Sequence, residues 1–406
     1  MVLRSKCMGV PAIDELGQAL GAHWLTFGHD SATFPALCAE HLDKAALHRV
    51  IDPGEIVRWV LQRDLPEQFD QLSEFGQPPV TVYRSPRFII DTLFWLDGTT
   101  SIHDHGFSGG FQVLAGSSIE TTFSYAPSKV TDPHLSFGKV TLKDSGLRRT
   151  GDVAPIVPGS SYIHGLFHLD RPSVTILVRT LPDPLAQRPM QYQPCGIAWN
   201  RFFRDQNLDR MVEVVELLDQ AGDHRFDEIV GDLVARSDLY AIFRVIRACV
   251  DIQDQRRIDA LLERVRDRDA ARMFATWLAE ERTARFLRKR RGLVHEPDLR
   301  FLLAVLLNSH RGDHSLRLVS SYTKGEGDPA AHVAGWLRRL SKVTMRLQAG
   351  GMPWEPNVLN LPDFEEGFEQ AIADTLAKRE RAFTPAERVF LDRLRALPHL
   401  APLFAA

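Results

Sequence analysis

Cysteine is scarce in this chain. There are four in 406 residues, Cys7, Cys38, Cys195 and Cys249, and no two stand in CxxC spacing. That argues against a disulfide framework and against a cysteine-built zinc site. It fits reduced thiols in a cytoplasmic protein. An excess of one charge is lacking too. Lys and Arg number 49, Asp and Glu 52, and the formal net charge is -3. No global field therefore favours nucleic acid or an anionic membrane as partner. Long apolar runs are missing: Phe301–Leu307 is among the longest and falls far short of a bilayer span. The opening MVLRSKCMGV has no apolar stretch and no small-residue cleavage site, so no secretory signal is expected. There is no GxxxxGK[ST] and no GxGxxG after a strand, and GSS at 116–118 and 159–161 lacks the GxSxG pattern. Nucleotide-dependent and serine-hydrolase chemistry therefore rank low.

What is present is ordinary soluble composition, 44% hydrophobic and 25% charged, in a length that suggests two or three domains. Residues 1–79 read as helical and are expected to pack on the following domain. Ile13–Leu20 and Gly54–Gln62 carry apolar residues at helical spacing, and Asp52-Pro53 signals a helix start. From Val80 the texture becomes β-branched and aromatic, as in VTVYRSPRFIIDTLFWL. Strand candidates follow at Phe111–Leu114, Ser118–Tyr125, Lys139–Leu142, Ala154–Val157 and Ser173–Thr180, with turn residues between them. Residues 80–185 therefore predict an antiparallel sandwich or barrel. After the proline-punctuated stretch 181–194, residues 200–406 predict an all-α domain, with helices over Met211–Leu218, Leu239–Val250, Ile258–Arg268 and Arg272–Arg288. The fold class is thus α+β. Within the helical part RTARFLRKRR (282–291) is strongly basic. It carries one aromatic and no stacking platform, so it reads as a solvated helix face rather than a nucleic-acid patch. Trp354–Pro362 reads as a proline-bounded extended loop.

One stretch points to chemistry. Residues 99–116 read TTSIHDHGFSGGFQVLAG. On a strand, His103 and His105 share a face and aim two imidazoles at one point. Farther on, GDVAPIVPGSSYIHGLFH (151–168) brings His164 after a Pro158-Gly159 turn. The order Gly98, His103-x-His105, Gly116, then Gly151, Pro158-Gly159, His164 resembles the two signatures of the cupin superfamily, small antiparallel barrels whose histidines meet in the mouth. The acidic ligand of ordinary cupins would fall at Gly109 or Gly110, and glycine offers no donor. Three imidazoles remain. Imidazole suits Fe, Zn, Cu and Ni, and a three-ligand set with vacancies marks a catalytic or ligand-binding site.

The stretch SIHDHGFSGGFQVLAGSSI, with VYRSPRFIIDTLFWLDG upstream, is similar to the thiol dioxygenases, the cysteine dioxygenase-like branch. That resemblance implies Fe(II) held by His103, His105 and His164, with Zn, Ni, Mn and Cu as alternatives, and O2 as co-substrate. The substrate would be a small anionic metabolite, a thiol or an amino-acid derivative. It makes Arg84 the candidate substrate anchor, with Arg87 competing, since a guanidinium fork suits a carboxylate. Tyr162 and Gln112 are candidates to reach the metal site, His168 a candidate for the pocket, and Asp104 a candidate for a turn or supporting hydrogen bond. The chain departs from that branch at Ser173-Val174-Thr175-Ile176-Leu177, where the Ser-x-His-x-Tyr relay would stand. Two other functions stay open: a non-redox cupin using Zn or Ni as an isomerase or hydrolase, and a cupin-based binding scaffold. No nucleic-acid or membrane partner is expected, and an oligomer would form through the helical domain.

Overall fold

The computed structural model describes residues 10–62, 66–68, 75–96, 101–181, 188–252, 254–309, 311–345, 347–349, 352–354 and 356–405. They fall into two units. Unit 1 comprises residues 1–124 and 143–191, unit 2 residues 125–142 and 192–406.

Unit 1 begins with helices α1 (Pro11–Thr26), α2 (Phe34–Ala45) and α3 (Pro53–Leu61). Proline sits in the first turn of each, where its missing N–H costs nothing. The Asp52 carboxylate accepts from the Gly54 N–H and caps α3, as Asp52-Pro53 predicts. Strands β1 (Pro79–Arg84), β2 (Phe88–Trp95), β3 (Gly109–Ala115), β4 (Ser117–Asp132), β5 (Leu135–Arg149), β6 (Val153–Ile156), β7 (Ile163–His168) and β8 (Ser173–Thr180) follow. One antiparallel sheet has the order β1-β2-β8-β3-β6. Phe88, Ile90 and Phe94 of β2 and Val174, Ile176 and Val178 of β8 lie on its outer face, packed with Phe34, Leu37, Cys38 and Leu42 of α2. Alternate residues point the other way. Phe111, Val113, Ala154, Ile156 and Leu166 form the apolar lining on that inner side. A β2 strand buried along its whole length is the result of cover on both faces.

The second sheet pairs β7 with β4, placing Thr122 opposite His164, Glu120 opposite Leu166 and Ser118 opposite His168. The β4–β5 hairpin is longer than the sequence predicts. APSKVTDPH carries two prolines and polar residues that read as a turn, yet β4 runs through it to Asp132, leaving only Pro133-His134 as the turn before β5, and most of β4 there is exposed. The hairpin tip, residues 125–142, belongs to unit 2. There β5 pairs with β10 (Ile197–Trp199), and β9 (Gln191–Tyr192) completes the sheet.

The rest of unit 2 is helical: α4 (Gln206–Gln220), α5 (Phe226–Arg236), α6 (Leu239–Ala248), α7 (Gln255–Glu263), α8 (Arg268–Arg291), α9 (Pro297–Asn308), α10 (Gly312–Tyr322), α11 (Pro329–Leu340), α12 (Phe368–Leu376), α13 (Pro385–Arg395) and α14 (Ala401–Phe404). Two short strands, β11 (Leu347–Ala349) and β12 (Met352–Trp354), pair antiparallel. Aspartate side chains cap α4, α6, α7, α8 and α11. One of these caps divides what the periodicity of Ile258–Arg268 predicts as one helix. Asp267 accepts from the N–H groups of Asp269 and Ala270, so α8 starts there and α7 has already ended. The basic stretch 282–291 is spent inside unit 2. Arg282 donates to the carbonyls of Val250 and Ile252, Arg285 pairs with Glu281 and Asp251, Arg288 pairs with Glu281, and Arg291 is buried. The architecture is α+β, with two antiparallel sheets, N-terminal helices and a helical C-terminal region. Among the described residues, no helix is long and apolar enough to cross a membrane.

Candidate metal centre

His103 does not stand on a regular strand. It makes an isolated bridge, donating its N–H to the His164 carbonyl at 2.8 Å and accepting from the His164 N–H at 3.0 Å. These two bonds fix the first histidine beside the third. His105 is held by its carbonyl, which accepts from the Gly159 N–H at 2.8 Å. Gly159 sits at φ +71, a conformation that favours glycine at the turn before β7. Between the two, Asp104 accepts from the Met190 N–H at 2.6 Å, a supporting bond rather than ligation.

The three rings form a near-equilateral triangle, with centroids 4.7, 5.0 and 5.0 Å apart. One potential ligand atom from each of His103, His105 and His164 lies within 4.8 Å of the others, and all three residues are buried. Burial, with His164 adding to it, pushes His103 down to about 3, against the pull of the Ser101 carbonyl. Burial and the two neighbouring histidines push His105 well below its ordinary value. Neutral imidazole is the form that binds a metal.

The hydrogen-bond partners fix the tautomers. His103 Nδ1 meets the Ser101 carbonyl at 2.6 Å, and His164 Nδ1 meets a carboxylate oxygen of Glu120 at 2.9 Å. Both partners only accept, so Nδ1 carries a proton in each ring and Nε2 is the nitrogen left to bind a metal. His105 Nδ1 is buried without a hydrogen-bond partner. Three buried imidazoles that bring one ligand atom each within 4.8 Å of the others are a donor set that fits a divalent cation.

Glu120 is the residue the sequence did not flag. Its Oε1 accepts from both His164 and the Tyr162 hydroxyl, the latter at 2.5 Å. Its Oε2 is gripped by Arg148, Nε at 2.6 Å and Nη2 at 2.5 Å. Burial raises the carboxyl's pKa, but the His164, Arg148 and Tyr162 contacts outweigh it and hold the group at about 2. Burial and the same carboxylate push the Tyr162 phenol far up, so it stays protonated. The only signal in the sequence was alternation. Glu120 is two before Thr122, and Thr122 pairs with His164, a register that requires the sheet.

Rings enclose the triangle: Phe75 at 5.3 Å from His103, Phe107 at 5.1 Å from His105, Tyr162 at 4.6 Å and Phe111 at 6.3 Å from His164. Tyr162 is thus brought to the histidines. Arg84 is not, since it ends edge strand β1 and pairs with Glu67 at 2.6 Å, 39% exposed. Gln112 points outward and donates to the Leu42 carbonyl at the end of α2. His168 shares the face of His164, but four strand residues put it roughly 13 Å along. It bonds Ser118 and stacks on Trp95 at 4.3 Å. Arg179 takes a place the sequence did not predict. It stands on the inner face of β8, its Nε donates to Asp91 at 2.8 Å, and its guanidinium lies 6.0 Å from the Phe107 ring.

The absent acidic ligand has a steric cause. A Cβ at Gly109 would lie 2.0 Å from the Val178 carbonyl oxygen, and one at Gly110 would lie 2.9 Å from Cys38 Cβ on α2. Neither position has room for a carboxylate.

No family model matches the sequence, and no curated protein does. Solved structures similar to part of the chain include hydroquinone 1,2-dioxygenase from Sphingomonas sp. TTNP3 with 4-hydroxybenzoate bound. It is 11% identical over 27% of this chain and 68% of that one, with TM-score 0.21. A second hydroquinone 1,2-dioxygenase, in complex with Cd2+ and 4-hydroxybenzonitrile, is 20% identical over 29% and 71%, with TM-score 0.21. A cupin superfamily protein from Desulfitobacterium hafniense DCB-2 is 12% identical over 29% and 94%, with TM-score 0.18. Likeness at this level says nothing of activity, which must be argued from the side chains.

Proposed function

We propose that unit 1 is a metal-dependent oxidoreductase of the three-histidine cupin type. His103, His105 and His164 would hold Fe(II), with O2 as co-substrate. One observation carries this: three buried imidazoles, two of them held neutral by burial, each bring a ligand atom within 4.8 Å of the others with no carboxylate among them. A neutral ligand set leaves a divalent ion its full charge, so the favoured substrate is a small anion, a thiolate or enolate among them. Bound iron would supply redox chemistry with open coordination positions.

The chain's own residues do the rest. The aromatic wall of Phe75, Phe107, Phe111 and Tyr162 keeps water from the centre. Glu120 holds the His164 Nδ1–H and so aims its Nε2 inward. Tyr162 keeps its proton and spends it on Glu120, which makes it a positioning residue rather than an acid or base. Arg179, braced by Asp91, is the guanidinium placed to meet a substrate carboxylate, in preference to Arg84.

The test is metal content after anaerobic purification, for wild type and for His103→Ala and His164→Ala, with oxygen uptake followed over a panel of thiols and diketones. About one iron per chain, lost in both variants, with substrate-dependent uptake, supports the proposal. Zinc or nickel without uptake would move the centre to non-redox chemistry. A well-folded wild type that binds no metal would leave a scaffold.

A further inference from the structure

Unit 2 holds a second concentration of unsatisfied chemistry. Buried side-chain nitrogens without a hydrogen-bond partner include Trp199 Nε1, Arg247 Nη1, Trp277 Nε1 and His134 Nδ1. These side chains belong to one cluster. The Arg247 guanidinium carbon lies 4.0 Å from the Trp199 ring, 5.8 Å from Phe243 and 6.0 Å from Trp277. His134 stacks on Phe203 at 3.6 Å and meets Tyr240 at 5.9 Å. Tyr240, Arg244 and Arg247 follow one another at single-turn spacing along one face of α6. Arg244 is paired with Asp209 at 2.7 Å. Among the described residues Arg247 has no ion pair and its Nη1 no hydrogen bond, and the acid that acts on it, Glu281, is already engaged by Arg285 and Arg288.

We propose that this cluster is a second binding site, for the oxyanion of a small carboxylate or phosphate, with Arg247 as its anchor. A guanidinium taken out of water needs an acceptor as well as a counter-charge. Stacking on Trp199 satisfies the face of the cation but none of its in-plane N–H donors. The indole N–H groups of Trp199 and Trp277 are donors as well. A packed core rarely leaves several donors orphaned together. A bound acceptor with negative charge is the group that answers the Arg247 guanidinium. Arg247 is partly exposed, which gives such a ligand a way in. Burial and the neighbouring Arg244 hold its pKa down to about 10, as expected where positive charge gathers without an anion. Carboxylate and phosphate share the chemistry required, two oxygens in the plane of a guanidinium fork.

The test does not depend on the metal centre. Tryptophan fluorescence of the full chain is titrated with sodium acetate and with sodium phosphate, against sodium chloride at matched ionic strength. Wild type should show a saturable change with at least one of the two anions, and which one responds identifies the oxyanion. Arg247→Lys, which keeps the charge but loses the fork, should bind about tenfold or more weakly, and Arg247→Met not at all. Near-UV circular dichroism checks that each variant folds. Should both fail to fold, Trp199→Phe takes their place. It keeps the ring under the guanidinium and removes one donor, and it should weaken binding. No saturable change in wild type with either anion, or an unchanged titration in the folded variants, would overturn the proposal.

Discussion

Replacing Glu120 by glutamine is the sharpest test of how the histidine triangle is held. The substitution preserves shape and removes charge. In the native chain every partner of this carboxylate is a donor: His164 Nδ1, the Tyr162 hydroxyl and two nitrogens of Arg148. Glutamine has one acceptor oxygen and one NH2 group, so one side of the network must face a donor with a donor. If the oxygen stays with His164, Arg148 loses its partner. If it turns to Arg148, the His164 N–H is orphaned and the imidazole is free to rotate or switch tautomer. Charge-assisted bonds of this kind contribute about 1.5–3 kcal/mol each. The Arg148 side is a third exposed, which reduces what its loss costs. Transmitted to a metal, loss of such a supporting carboxylate costs about 10–100-fold in affinity, or roughly 1.4–2.7 kcal/mol. Competitive titration with Co2+ and Zn2+ at neutral pH measures this directly, without turnover. Tyr162→Phe removes one donor and leaves the carboxylate in place, so it should cost less than about fivefold by the same scale. A folded Glu120→Gln protein with wild-type metal affinity would refute the reasoning, because the His164 Nδ1–H bond would then have no part in shaping the site.

Four further outcomes follow from the same geometry. Gly109→Ala should destabilise unit 1 by about 1–3 kcal/mol or more in urea melts, because its Cβ would meet a backbone oxygen at 2.0 Å; a neutral result would mean that β8 moves aside cheaply. For the same reason Gly109→Asp should not add a fourth ligand, and unchanged metal stoichiometry and affinity per folded chain would check this. Arg179→Met should raise KM for an anionic substrate at unchanged metal content while Arg84→Met does not, and the reverse pattern would restore Arg84 as anchor. In unit 2, burial raises the Glu280 carboxyl to about 7 although it accepts the Cys195 N–H. The folded chain then holds that proton more tightly than the unfolded one, so stability falls as pH rises from about 4.5 to 7 and levels off above. Glu280→Gln should flatten that fall by roughly 2 kcal/mol, after allowance for partial exposure. Parallel urea melts at both ends of the window that show the same pH slope in both proteins would sink it.

Much of this was legible in the chain because it is carried by local pattern. The β-branched run from Val80 forms β1 and β2, Ser173–Thr180 is β8, and Asp52-Pro53 opens α3. The histidines were legible because their spacing, with the Pro158-Gly159 turn, is local too. The rest depends on contacts far apart in sequence. Arg84 was the candidate anchor because the resemblance puts an arginine on the strand before the histidine pair, and strand order places it on an edge. Arg179 and Glu120 are 76 and 17 residues from His103 by number, and only the pairing of β8 with β2 and of β4 with β7 turns them inward. The long hairpin was missed because Pro127 reads as punctuation, as Pro133 in the turn is, whereas the exposed run of β4 tolerates proline.

The carboxylate missing at Gly109 and Gly110 has a counterpart one step farther from the centre. At either glycine a side chain collides with backbone or with α2, so a negative ligand in the triangle is sterically excluded. Glu120 instead reaches His164 from behind, where it makes the imidazole a better donor without bringing its own charge to the metal. Even that charge is offset, because Arg148 closes on the other carboxylate oxygen. Arg179 and Asp91 repeat the pairing on the opposite sheet. Glu120 and Arg179 near the centre therefore each stand in an ion pair, and burial disfavours the charged forms of His103 and His105. A divalent cation there would keep its full charge in an aromatic enclosure of low dielectric, where an incoming anion is attracted far more strongly than in water. On the proposed function, selectivity for anions would come from what the ligand set withholds, and an acid absent from the triangle is compatible with one bonded to His164 from behind.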